Sequence, residues 1–178
     1  MTLKTLLIAN RGEIALRIAR TAADAGVRTI AVHPADDALS LHVLRADGAE
    51  QLPGHGARAY LDVEEVVAAA RRAGADAVHP GYGFLSENAE FAAAVEAAGM
   101  VFVGPTPASL SLYGDKVAAR KLAQECDVPV VPGTPDPVDG AAAAAFFADL
   151  PAGAAMIVKA VAGGGGRGMR VVRSAEEA

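Results

Sequence analysis

The sequence lacks tryptophan, has one cysteine, Cys126, and is only 4% aromatic over its 178 residues. A single cysteine excludes an intrachain disulfide and fits a reducing compartment. We interpret Cys126 as a structural thiol late in a helix rather than as a nucleophile. The apolar run near the N-terminus, residues 6–9, is too short for a signal-peptide core, and no run of 18 apolar residues occurs elsewhere. These absences predict a cytoplasmic protein that does not enter a membrane.

The composition is that of a globular protein, because 52% of the residues are hydrophobic and 21% are charged. The net charge of -5 argues against a general nucleic-acid-binding protein. The length suits one domain, or one domain with part of a second.

Apolar runs alternate with helical patterns along the first hundred residues. Strands are predicted at residues 3–9, 29–33, 49–52, 75–79 and 100–103. Helices are predicted at residues 13–25, 62–73 and 87–98, with Asp62 and Ser86 as the caps of the second and third. This alternation predicts an α/β fold with a doubly wound, mostly parallel sheet, which we place at residues 1–104.

The pattern changes after residue 104. Residues 105–137 are predicted to form a helical linker that ends in a proline-rich connector. Residues 138–178 carry an Asp139-capped helix, strands at 154–159 and 169–173, and a capping-box pattern from Ser174. Because two strands and one helix cannot bury a core of their own, we expect this last part to be a truncated domain.

A glycine-rich loop lies between the last two predicted strands. Its residues, in order, are Gly163, Gly164, Gly165, Gly166, Arg167 and Gly168. A dinucleotide fingerprint requires a helix after the loop, whereas here a strand lies on both sides, which predicts a flap that covers phosphates. Lys159, Arg167 and Arg170 add positive charge. A loose hairpin on a solvated edge is the alternative interpretation.

Two further segments carry polar residues suited to ligands. Lys116, in the first turn of a predicted helix, could bind phosphate, although an ordinary surface lysine fits the residues as well. Residues 79–88 follow a buried strand, at the sheet edge where α/β proteins bind ligands, and residues 10–13 form the equivalent turn after the first strand. The 79–88 segment would suit a small planar ligand, or serve only as a rigid turn. We find no residue spacing for a metal site and no acidic pair placed for Mg²⁺.

Five segments in this order resemble the N-terminal part of a biotin carboxylase, the ATP-grasp component of biotin-dependent carboxylases. They are IANRGEIALRI near the start, HPGYGFLSEN at 79–88, FVGP at 102–105, GDKVAARKLA at 114–123 and GGGGRGMRVV at 163–172. The resemblance covers essentially the whole chain, with looser similarity over residues 33–59. It implies a Rossmann-like pre-ATP-grasp domain followed by the start of an ATP-grasp lid subdomain.

The resemblance also implies a reaction. In this family, ATP phosphorylates bicarbonate to carboxyphosphate, and its CO₂ is transferred to N1′ of biotin on a carrier. By resemblance, Lys116, Lys159 and the loop from Gly163 to Met169 would bind ATP, and Tyr82 and Gly83 would lie near biotin. The Mg²⁺ ligands and the residues that handle bicarbonate would lie outside this segment, so we expect the 178 residues alone to be inactive.

The implied partners are a biotin carboxyl carrier protein or domain, a carboxyltransferase component and further copies of the chain. The final carboxyl acceptor, an acyl-CoA of fatty acid metabolism or pyruvate, is left open. A non-catalytic α/β interface module, with Arg17, Arg20 and Asp24 as its polar face, is the alternative function. Another ATP-grasp ligase, such as a carbamoyl-phosphate or purine enzyme, is disfavoured by HPGYGFLSEN together with GGGGRGM.

Overall fold

The structure is a computed structural model, and it describes residues 2–134, 136–160, 168–174 and 177. The chain divides into two compact units, Met1–Leu112 and Tyr113–Ala178. The domain limits expected from the sequence, at residues 104 and 137, stay predictions.

The first unit contains a five-stranded sheet in the order β3-β2-β1-β4-β5, in which every paired neighbour is parallel. Its strands are β1 (Thr5–Ile8), β2 (Arg28–His33), β3 (Gly48–Gln51), β4 (Ala77–His79) and β5 (Val101–Phe102). The predicted doubly wound parallel fold is therefore confirmed. The first strand lies at the centre of the sheet. β2 and β3 are added on one side of it and β4 and β5 on the other, so the strand order reverses between β1 and β4.

Eight helices are found among the described residues of the two units. They are α1 (Gly12–Asp24), α2 (Leu41–Arg45), α3 (Gly56–Ala59), α4 (Val63–Arg72), α5 (Ala89–Ala97), α6 (Pro107–Gly114), α7 (Lys116–Glu125) and α8 (Gly140–Ala148). None of the helices in the described part of the chain has the length and apolar character needed to span a membrane.

The three central strands, β1, β2 and β4, are largely buried on both faces, which explains their nearly continuous apolar sequences. Leu7 and Val78 belong to one fully buried cluster, together with residues of α4 and α5. Leu6 and Ile8 point to the opposite face and pack with the alanine face of α1. Side chains alternate along each strand, so one apolar run supplies both cores.

The structure differs from the sequence-based expectation at two places. The helix after β4 is capped by Asn88, whose Oδ1 accepts from the amide of Phe91 at 2.8 Å, so the prediction of Ser86 as the cap is wrong. Ser86 lies in a turn, where its amide donates to the carbonyl of Gly83. The short helices α2 and α3, and a 3₁₀ turn at Ala35–Asp37, fill the stretch between β2 and α4.

The second unit contains an antiparallel pair, β6 (Met156–Lys159) and β7 (Met169–Val172), beside α7 and α8. Its described core consists of Ala143, Met156 and Val172, with three partly buried apolar side chains from α8 and its C-terminal end packed against it. Asp139 caps α8 as predicted, and its Oδ1 accepts from the amide of Ala142 at 2.9 Å.

Candidate functional site

The loops after β1 and β4 meet at the centre of the carboxyl edge of the sheet. β1 pairs with β2 on one side and with β4 on the other. Ligands of open α/β sheets bind in the crevice at such a switch point, because the two flanking loops diverge there. The residues that follow these strands, 9–13 and 80–84, therefore form the candidate site of the first unit.

Asn10 links these two loops. Its side chain is fully buried, and its Nδ2 donates to the carbonyl of Pro80 at 2.7 Å and to that of Tyr82 at 3.1 Å. Its Oδ1 accepts from the amide of Arg11 at 2.9 Å. The carboxamide thus uses both of its donors on the loop after β4 and its oxygen on the loop after β1.

Gly81 allows this close contact. Its φ is +65°, in the left-handed region, and a Cβ here would lie 2.7 Å from both Asn10 Nδ2 and Ile14 Cγ2. A side chain at this position would combine backbone strain with displacement of the Asn10 amide. Glycine is therefore required by both conformation and space.

The side chains of His79 and Tyr82 have well-defined partners. His79 Nδ1 lies 3.0 Å from the amide of Gly81, which can only donate, so Nδ1 is the unprotonated nitrogen of the ring. Burial lowers the pKa of His79 below its usual value of 6.5, which agrees with a neutral ring. The ring of Tyr82 is exposed, and its hydroxyl donates to Glu13 Oε1 at 3.3 Å. Tyr82 and Gly83 are accordingly presented at the open side of the loop.

A polar cluster supports the far end of the same loop. Tyr60 donates from its hydroxyl to Asp37 Oδ2 at 2.8 Å, and its ring lies 5.3 Å from that of Phe84. The Arg11 guanidinium lies 3.3 Å from Asp37 Oδ2 and 5.7 Å from the centre of the Tyr60 ring. Burial raises the pKa of Asp37, but hydrogen bonds from Tyr60 and Ser40 and the charge of Arg11 outweigh it, so the pKa is lowered overall.

The candidate phosphate-binding residues lie in the second unit. Lys116 is the first residue of α7, directly after the cap Asp115, whose Oδ1 accepts from the amides of Val117 and Ala118 at 2.8 and 3.1 Å. Lys159 is exposed at the end of β6, and its register partner is Met169. The strands on both sides of the glycine loop confirm the predicted β-loop-β arrangement.

The glycine loop itself falls largely outside the described residues, since Gly163, Gly164, Gly165, Gly166 and Arg167 are among those not described. At its end, the carbonyl of Gly168 accepts from the amide of Ala160 at 2.8 Å, which closes the hairpin. Gly168 has a φ of +75°, and a Cβ there would lie 2.9 Å from that of Ala160. The last glycine of the loop is therefore fixed by the hairpin it closes.

Sequence reasoning named Tyr82 and Gly83 but gave no role to Asn10, Arg11 or Tyr60. The available signal was the position of residues 10–13 directly after the first strand. The pairing of Asn10 with a loop 70 residues away could not be read from local spacing. Among the described residues, no group of three or more His, Cys, Asp or Glu side chains is placed to hold a metal ion.

A parallel sheet in this order, with two loops at its switch point, defines a Rossmann-like domain, and a β-hairpin that carries Lys159 and Arg170 follows it in the chain. Residues 2–110 match the family model of the biotin carboxylase N-terminal domain, and residues 115–178 match that of the carbamoyl-phosphate synthase L chain ATP binding domain. The chain belongs to the biotin carboxylase family.

Individual proteins agree with this assignment. The chain is 52% identical to a pyruvate carboxylase of Aspergillus niger, over 99% of this chain and 15% of that protein. It is 50% identical to the biotin carboxylase of Haemophilus influenzae, over 97% of this chain and 39% of that protein. Among solved structures, the chain is similar to the biotin carboxylase domain of the Hydrogenobacter thermophilus 2-oxoglutarate carboxylase, a dimer in complex with MgADP, ADP and bicarbonate. The TM-score is 0.92 and the identity 38%, over 99% of this chain and 39% of that one. The chain thus spans well under half the length of these relatives.

Proposed function

We propose that this chain provides the N-terminal portion of a biotin carboxylase, which carboxylates carrier-bound biotin with ATP and bicarbonate. The observation that carries the proposal is the combination of the 80–84 loop at the switch point with a lysine-flanked glycine hairpin, in a chain of this family. The first feature suits a small planar ligand and the second suits phosphates.

Lys116 and Lys159 are the residues proposed to bind ATP, together with the loop from Gly163 to Met169. Ammonium groups neutralise phosphate charge, and the amides of glycines can approach phosphate oxygens closely. Lys159 fits this role because it is exposed at the mouth of the hairpin. Lys116 fits because it lies at the N-terminus of α7, where the helix dipole favours an anion.

Tyr82 and Gly83 are proposed to border the biotin site. Both are exposed, on a loop whose backbone is held by a buried side chain. An aromatic ring beside an open glycine backbone offers a flat apolar surface and polar groups, which suits the ureido ring of biotin.

Magnesium belongs with ATP chemistry, and it would neutralise phosphate charge when bound. In the part of the chain that the structure describes, no group of three or more His, Cys, Asp or Glu side chains is placed to hold this ion. We therefore assign no step to the metal here, and we expect the 178-residue chain alone not to turn over.

The proposed partners are those of the family: a biotin carboxyl carrier protein or domain and a carboxyltransferase component. We also propose self-association, since the Hydrogenobacter thermophilus relative is described as a domain dimer. The acceptor, an acyl-CoA in fatty acid metabolism or pyruvate, and the cytoplasmic location stay predictions.

A chimera tests the proposal. The chain replaces the matching N-terminal part of the Haemophilus influenzae biotin carboxylase, and ADP release is measured with and without biotin and bicarbonate. We expect biotin- and bicarbonate-dependent turnover in the chimera and none in the 178-residue chain. A folded chimera without such turnover would contradict the proposed function.

Lys159→Gln in the chimera tests the ATP site. Loss of a charge-assisted hydrogen bond of about 1.5–3 kcal/mol should raise the KM for ATP about tenfold or more. The matched control is Lys121→Gln, because Lys121 is exposed on α7 and its ion pair with Glu125 is long, at 3.9 Å. An unchanged KM for ATP in Lys159→Gln would contradict the role of Lys159.

A further inference from the structure

We propose that Asn10 is a positioning residue, which holds the 80–84 loop in the conformation that presents Tyr82 and Gly83 to their ligand. The identity of that ligand, the ureido ring of biotin, rests on the proposed function above. The positioning itself rests on the geometry alone. Asn10 is fully buried and so does not touch the ligand.

The side-chain hydrogen bonds of Asn10 join the loop after β4 to the loop after β1. The two N–H groups of its amide point to two carbonyls of one loop, those of Pro80 and Tyr82, at 2.7 and 3.1 Å. Its oxygen is held by the amide of Arg11 at 2.9 Å. Because Asn10 lies two residues after the buried central strand β1, the loop after β4 is tied to the centre of the sheet.

The loop needs such support. Phe84 has a φ of +45°, a left-handed conformation that is strained for a residue with a Cβ. Asn10 holds the loop from the side of β1, and the Tyr60 ring packs on Phe84 from the other side. Fixing the loop before the ligand arrives lowers the entropy lost on binding, so the ligand should bind more tightly.

Asn10→Asp removes the two donors and keeps the shape of the side chain. The matched control is Asn88→Asp, because the Asn88 oxygen accepts from the amide of Phe91, and an aspartate oxygen can do the same. In NMR spectra of the 178-residue chain, we expect Asn10→Asp to shift or broaden the amide signals of Tyr82 and Gly83 while the signals of Leu7 stay unchanged. Parental loop signals in Asn10→Asp would overturn the proposal.

Gly81→Ala disrupts the contact between Asn10 and the loop by a change in the loop itself. It provides a second test if Asn10→Asp fails to fold. Its Cβ would lie 2.7 Å from Asn10 Nδ2. The control is Gly74→Ala, because Gly74 has a similar φ of +63° but no atom within 4 Å of the added Cβ. We expect Gly81→Ala, but not Gly74→Ala, to shift the side-chain amide signals of Asn10, and parental Asn10 side-chain signals in Gly81→Ala would overturn the proposal.

The active chimera separates positioning from a general structural role. We expect Asn10→Asp to raise the KM for free biotin about fivefold, or about 1 kcal/mol, because the ligand must then order a loop that has lost two hydrogen bonds, with the KM for ATP unchanged. Equal losses for biotin and ATP would overturn the positioning role. An inactive parent chimera would contradict the proposed function alone, and the NMR comparison would still decide the role of Asn10.

Discussion

At the scale of single residues, the neutral state of His79 supports the turn that begins the candidate loop. The amide of Gly81 donates to its Nδ1, and a proton on this nitrogen would break that hydrogen bond. Burial keeps the pKa of His79 below 6.5, and burial likewise lowers the pKa of His42. Folding therefore favours the unprotonated form of both rings.

The consequence is a loss of stability in mild acid. As pH falls through 6.5, His79 and His42 become protonated in the unfolded chain while they stay neutral in the folded chain. The unfolded state is thereby favoured, so the free energy of unfolding decreases. The contribution of the two histidines stops growing once the pH is below their pKa values in the folded state. Urea unfolding at pH 7.5 and at successively lower pH values should show this trend.

His79→Asn isolates the contribution of this ring. Asparagine can accept from the amide two residues later, as His79 does, but it does not titrate. We expect a smaller loss of stability between pH 7.5 and pH 5 than in the parent, with a remainder due to His42. Equal pH dependence in His79→Asn and the parent would show that His79 contributes nothing.

At the scale of elements, the strands could be predicted because each is a compact run of apolar residues. The five predicted strands of the first unit are all present, and β1, for example, lies within the predicted residues 3–9. The cap of α5 could not be chosen from sequence, because both Ser86 and Asn88 are good capping residues. Turn hydrogen bonds within residues 83–88 decide in favour of Asn88.

The short helices α2 and α3 were not predicted, for a different reason. They have five and four residues, too few for a helical period to emerge. Their place is determined by tertiary contacts such as Tyr60 with Asp37, which are 23 positions apart. The same limit applies to the site: Tyr82 and Gly83 stand out in the sequence, whereas the partner of their loop, Asn10, is revealed only by the fold.

The cap of α7 offers a test at this scale. Asp115 accepts from the amides of Val117 and Ala118 and so fixes the helix start beside Lys116. Asp115→Ala should destabilise the first turn by about 1 kcal/mol, and hydrogen exchange at these two amides should become about fivefold faster. Asp115→Asn should retain the cap and the slow exchange. Unchanged exchange in Asp115→Ala would mean that the cap contributes no local stability.

At the scale of the whole molecule, two independent divisions of the chain nearly coincide. The compact units meet between Leu112 and Tyr113, and the two family models match residues 2–110 and 115–178. The units differ in how much they bury. The first contains two apolar clusters on the two faces of a sheet, whereas the described core of the second has three buried apolar side chains.

This difference predicts unequal folding of the two units when they are produced separately. Residues 1–112 bury enough apolar surface to offset the loss of chain entropy, so they should unfold cooperatively in urea and give dispersed NMR spectra. Residues 113–178 fall below the size at which a small core supplies more than a few kcal/mol, so they should show neither property. The 178-residue chain, measured alongside, provides the reference spectrum for both halves. Cooperative unfolding of residues 113–178 would contradict the prediction, because it would require more core than Ala143, Met156 and Val172 provide.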